Sequence, residues 1–177
     1  MRIGVVSTGG RGEIDRLLAE AAAGLARDGI RTAGLVRDDS SHCSAANGCD
    51  MMVRVLPDGP VIRITQDLGQ GSDACRLDPS AIVQAVAEVE TRGLDGAGLF
   101  ILNRFGPEEA AGRGFRSVIA RALEQGIPAL IGVGPTCRPE FDRFTAGLAE
   151  PLPADPAAIA LWCRQALAAP AEDRVSV

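Results

Sequence analysis

The chain contains no lysine, so all 18 of its basic residues are arginine. That absence excludes a Schiff-base lysine and the lysine of a phosphate-binding loop. Cysteine is sparse, with five residues, odd in number and irregularly spaced, which fits reduced thiols in a cytoplasmic protein better than a disulfide framework. No stretch approaches the roughly 20 uninterrupted apolar residues that a spanning helix needs, so no membrane partner is expected. Positive charge is in deficit too: the net charge of −5 excludes a broad electrostatic footprint for nucleic acid. The N-terminus lacks the long apolar region of a signal peptide, and the mature protein is expected to begin at Met1.

What is present suits one domain. At 177 residues and 46% hydrophobic content, the chain can bury a core without disulfides or a metal. A single domain over residues 1–169, with a frayed tail over 170–177, is the expectation.

Residues 2–7 (RIGVVS) form a β-branched run closed by Thr8-Gly9-Gly10-Arg11-Gly12. After it, Ile14, Leu17, Leu18, Ala22 and Leu25 keep helical spacing. Gly29 stops that helix, and residues 32–36 read as a second strand. Two alternating runs, MMVRVL and PVIRIT, flank Pro57-Asp58-Gly59-Pro60 and predict a β-hairpin inserted at about residues 51–65. Asp78 caps a helix that has Pro79 at its first position. Residues 97–103 (AGLFILN) and 128–134 (PALIGVG) suit central strands buried on both faces, with a loop at 104–114 and a helix behind Phe115. Pro151 and Pro153 break the chain before Asp155-Pro156 caps a last helix.

Strands alternating with helices predict a three-layer α/β fold, with a mostly parallel sheet and helices on both faces. Ligands in such sheets sit beyond the carboxyl ends of the strands. Here those ends carry residues 8–12, 103–109 and 134–138.

At residues 98–133 the sequence resembles the nucleoside-triphosphatase family of P-loop proteins. In that family the corresponding strand ends in Asp-Glu and continues into Gly-x-x-Glu; here Asn103-Arg104 stand at the pair, and Gly106 and Glu109 match the Gly and Glu. The order of elements agrees over residues 2–145. The chain is also identified as a member of a bacterial domain-of-unknown-function family with the signature CDMxVRVLPDGPVIRISQ, then CRLD, then NxFGxxEAxGRGF. The matching residues are Cys49-Asp50-Met51, Val53 through Ile64, Cys75-Arg76-Leu77-Asp78 and Gly112-Arg113-Gly114-Phe115. This second resemblance implies an association with molybdate uptake.

A working phosphate loop needs Gly-x-x-x-x-Gly-Lys-Ser/Thr: amides cradle the phosphates, lysine neutralises charge and the hydroxyl holds Mg²⁺. The sequence Gly9-Gly10-Arg11-Gly12-Glu13-Ile14-Asp15 is too short and has glutamate in the lysine slot. A glycine turn at a helix N-terminus survives, able to present amides to a small anion or to serve as an ordinary βα turn. Asn103 removes the carboxylate that would hold Mg²⁺, so little or no triphosphate hydrolysis is expected.

The expected function is therefore binding of a phosphate-containing small molecule, a nucleotide or an oxyanion such as molybdate, at Thr8, Gly9, Gly10, Arg11 and Gly12 with Asn103, Arg104 and Arg113. Arginine grips such groups in a bidentate manner, although Arg104 and Arg113 serve equally as surface ion pairs with Glu108 and Glu109. Two alternatives stay open. One is a weak triphosphatase or transferase with Glu109 orienting water; the other is a regulatory module docking through the hairpin, where Arg54 and Arg63 lie. Cys49 and Cys75 are candidates for a ligand, redox or substrate-contact role because they fall in the family signature, and the cysteine and histidine spacing matches no zinc motif. The sequence sets no oligomeric state.

Overall fold

The computed structural model describes residues 1–10, 12–38, 51–66 and 77–169. The elements in chain order are β1 (Ile3–Val6), α1 (Glu13–Arg27), β2 (Thr32–Arg37), β3 (Met52–Val55), β4 (Val61–Arg63), α2 (Pro79–Arg92), β5 (Leu99–Phe105), α3 (Pro107–Ala110), α4 (Arg116–Glu124), β6 (Ala129–Val133), α5 (Arg138–Phe144), β7 (Glu150–Leu152) and α6 (Pro156–Ala168). They build one seven-stranded sheet in the order β4-β3-β2-β5-β6-β1-β7. The five strands from β2 to β7 in that order are parallel, and β3 and β4 extend the β2 edge as an antiparallel hairpin. The predicted α/β architecture is thus the observed one.

Two cores lie on opposite faces of the sheet. On one face α1 and α6 pack Leu17, Leu18, Ile159 and Trp162 over Leu99, Ile101 and Leu130. On the other, α2, α4 and α5 pack Ala85, Val118, Ile119 and Phe141 over Phe100, Leu102 and Ile131. Strand β5 feeds both cores alternately, since successive side chains point to opposite faces. Asn103 therefore continues the α1-facing row of Leu99 and Ile101. A register shift between Leu102 and Phe105 then returns Phe105 to the opposite core. Such an irregularity at a strand end re-aims a side chain.

The predicted caps are present. The Asp78 carboxylate accepts from the Ser80 and Ala81 amides at 2.9 and 3.4 Å, and Asp155 accepts from the Ala158 amide at 2.8 Å. Two differences from the sequence expectations stand out. The loop expected at 104–114 contains the short helix α3 behind a longer β5. The Pro151 break is instead the middle of β7, paired in parallel with β1 through Val5. Proline lacks a donor and is accommodated there because β7 is an edge strand. Trp162 ties α6 to that edge by donating its indole N–H to Glu150 at 2.8 Å. Among the described residues, no helix is long and apolar enough to cross a membrane.

Candidate functional site

Strand β1 leads into α1 on one face of the sheet, whereas its neighbour β6 leads into α5 on the other. Divergent connections from adjacent parallel strands open a crevice at their carboxyl ends. A cleft of about 1100 Å³ lies there. Each of the three strand-end segments singled out from sequence contributes to it: Thr8, Gly9, Gly10 and Gly12 after β1, Asn103, Arg104 and Gly106 through Glu109 around the end of β5, and Gly134 after β6.

The glycine loop enters α1 through Gly12, whose φ of 74° is a left-handed conformation that glycine adopts without a Cβ penalty. The Gly10 amide donates to the Thr8 hydroxyl oxygen at 3.1 Å, and that hydroxyl in turn donates to the Glu13 carboxylate. A Cβ at position 10 would lie 2.6 Å from Glu13 Oε2. Glycine there lets the glutamate fold back against the loop. Arg11 lies outside the described residues.

The electrostatic centre of the cleft is Asp15, in the first turn of α1 and only 7% exposed. Its Oδ1 accepts from the Asn103 amide at 2.9 Å and from the Arg104 guanidinium at 3.2 Å. Its Oδ2 lies 3.7 Å from the Arg37 guanidinium, at the end of β2. The Asn103 side-chain oxygen Oδ1 completes the junction by accepting from the Arg37 backbone amide at 3.2 Å. One buried carboxylate thus joins α1, β2 and β5. A buried charge requires such pairing. Arg104 keeps 46% of its side chain exposed and lines the cleft.

Sequence reasoning named Asp15 only as part of the shortened glycine loop and did not single out Arg37. A signal for Asp15 was available: it precedes Leu18 by three positions and Ala22 by seven, and so belongs to the buried face of α1. Nothing local pointed to Arg37.

Glu109 is also buried, at 5% exposure. Its Oε2 accepts from the Gly106 amide at 2.8 Å and its Oε1 from the Phe115 amide at 2.9 Å. The carboxylate thereby ties the start of α3 to the start of α4. Gly114, at φ 57°, passes so close that a Cβ would sit 2.1 Å from Oε1. Arg113 lies outside the cleft lining and forms a two-pronged pair with Glu108, at 2.8 and 3.1 Å. The Arg113 hydrogen bond holds the Glu108 carboxyl below its ordinary value, and Glu108 raises Arg113 in return.

Cys49 and Cys75 lie outside the described residues. Of the described cysteines, Cys137 is partly buried just beyond β6. Desolvation pushes its thiol up, reinforced by Glu140 and Glu109 and opposed by Arg104. Cys163 is buried on α6, where burial pushes it up to about 11.

Strand order, the glycine turn from β1 into α1 and the cleft over the strand ends define a three-layer α/β fold like that of P-loop proteins. The solution structure of a human cancer-related nucleoside triphosphatase has the same fold, with a TM-score of 0.57 at 16% identity, covering 85% of this chain and 87% of that one. The chain belongs to the family described as protein of unknown function (DUF2478), whose model matches residues 3–162. It is also 34% identical over 154 residues to the molybdenum import ATP-binding protein ModC 2 of Bradyrhizobium diazoefficiens. That match takes in 86% of this chain but only 17% of the relative.

Proposed function

We propose that this protein binds, without hydrolysing, a small oxyanion or a phosphate-bearing molecule, molybdate among the candidates, at the polar groups of the cleft. The observation that carries the proposal is the clamp on Arg104: a buried Asp15 holds a half-exposed guanidinium against the cleft wall. A guanidinium fixed by a neighbouring carboxylate loses less freedom when it grips an anion in a bidentate manner. Amides of the glycine turn, at the N-terminus of α1, supply further donors. The name of the curated relative, a molybdenum import protein, supports molybdate as one such anion.

The hydrolytic parts of a P-loop site do not fit these residues. Glu13 and Ile14 stand where the motif has lysine and a hydroxyl, and Asn103 stands where it has a metal-holding aspartate. The carboxylate that is present, Asp15, is engaged by an amide and two guanidinium groups rather than open to Mg²⁺.

The test is thermal stability against molybdate, tungstate, sulfate, phosphate, ATP and GTP, with and without Mg²⁺. A native-state ligand at roughly 100 times its Kd adds about 2.7 kcal/mol, or about 5–10 °C in a chain of this size. We expect at least one of these anions to give such a shift and Arg104→Ala to abolish it. No shift with any anion, or one that Arg104→Ala leaves intact, overturns the binding site. Mg²⁺-dependent phosphate release from ATP or GTP by the purified protein overturns the non-hydrolytic assignment.

A further inference from the structure

The cleft is far larger than a bare oxyanion requires. Its volume is about 1100 Å³, whereas a five-atom tetrahedral anion occupies on the order of two water volumes, ~60 Å³. Its lining is of two kinds. Thr8, Asp15, Asn103 and Arg104 supply polar groups over β1 and β5, joined by Arg37, Glu108 and Glu109. The apolar part is lined by Leu35 on β2, Val53 on β3, Ile64 beyond β4, Ile82 on α2, Leu102 on β5 and Phe115 before α4.

The sequence creates that apolar wall in a simple way. Alternation along the hairpin turns Val53, Val55, Ile62 and Ile64 toward the same core, and Arg54 and Arg63 away from it. Helix α2 covers this surface with the small residues Ala81 and Ala85, whereas Ile82 is only partly buried. A concave, mostly apolar lining with a few polar groups is the form of a site for an organic molecule of drug size.

We infer that the ligand is an amphipathic organic anion: a phosphate or similar oxyanion head against Thr8 and Arg104, carried on an apolar body that lies along Val53, Ile82 and Phe115. The inference rests on the anion site proposed above and adds the ligand class to it. Burial of an aromatic body against this wall contributes affinity that no inorganic anion can recover.

Calorimetry with inorganic phosphate, phenyl phosphate, 1-naphthyl phosphate and uncharged 1-naphthol tests it. We expect affinity to rise along the phosphate series, with 1-naphthyl phosphate at least about tenfold tighter than inorganic phosphate and about tenfold tighter than 1-naphthol. Ile82→Gln is expected to remove most of the gain from the naphthyl ring while leaving phosphate binding within about twofold. Should that variant fold poorly, the ligand series on the unaltered protein decides the matter alone. If inorganic anions bind and neither aryl ester binds more tightly, the amphipathic class is overturned and the anion site stands. Naphthol as tight as its phosphate, or no binding of any anion, overturns both. A naphthyl gain untouched in well-folded Ile82→Gln overturns the placement of the apolar body.

Discussion

The Asn103 side-chain amide donates to the buried Asp15 carboxylate at 2.9 Å, joining the end of β5 to the first turn of α1. The pairing explains why an amide serves at position 103. A second carboxylate there would face Asp15 in a desolvated junction, where like charges repel strongly. Asn103→Asp is accordingly expected to destabilise the fold by about 2–4 kcal/mol in chemical denaturation. The loss should shrink at acid pH, where the carboxylate pair shares a proton.

Glu13 places a negative charge against the Thr8 hydroxyl, at the turn where the proposed anion is received. Glu13→Gln keeps the shape and removes the charge. The affinity for the anion that stabilises the native protein is expected to rise roughly tenfold, equivalent to ~1.4 kcal/mol. Calorimetric titration of the two proteins side by side checks this, and an unchanged or weaker affinity would show that the carboxylate does not compete with the ligand.

Glu109 satisfies two backbone amides, those of Gly106 and Phe115. Removing the acceptors with Glu109→Ala leaves these donors unpaired and is expected to lower stability by about 1–3 kcal/mol, read as a fall in the denaturation midpoint. Glu109→Gln keeps one carbonyl acceptor and should lose less. A role as the base of a triphosphatase makes a different forecast: a well-folded Glu109→Gln protein that has lost a Mg²⁺-dependent activity present in the wild type.

The absence of lysine and tyrosine gives this chain a simple alkaline titration. Between about pH 9 and 11 its titrating side chains are thiols. Burial raises Cys163 from the ordinary 9.0 to about 11. A raised folded-state value means that the unfolded chain releases the proton first. The stabilising contribution is therefore whole below pH 9 and is lost as pH climbs toward 11. Denaturation midpoints measured across that window should fall with pH, and Cys163→Ala should flatten the decline even though it lowers the curve as a whole.

Much of the fold was legible in the chain because it is written in local signals. The alternation of apolar runs and amphipathic segments gave the layers, Asp78-Pro79 and Asp155-Pro156 marked two helix starts, and Pro57-Asp58-Gly59-Pro60 marked the hairpin turn. Strand β7 escaped notice because three residues centred on Pro151 carry no strand pattern of their own; pairing with β1 makes them a strand.

The segments that line the cleft could be named from strand ends and glycines alone, and the missing lysine is a fact of sequence that no folding can alter. Tertiary structure decided which charges meet. Asp15 and Asn103 are 88 positions apart, and no periodicity or motif pairs residues at that distance. Sheet order brings β2 and β5 together, and the pleat of β5 turns Asn103 toward α1. The desolvated space between them then requires a buried carboxylate to find its amide and guanidinium partners.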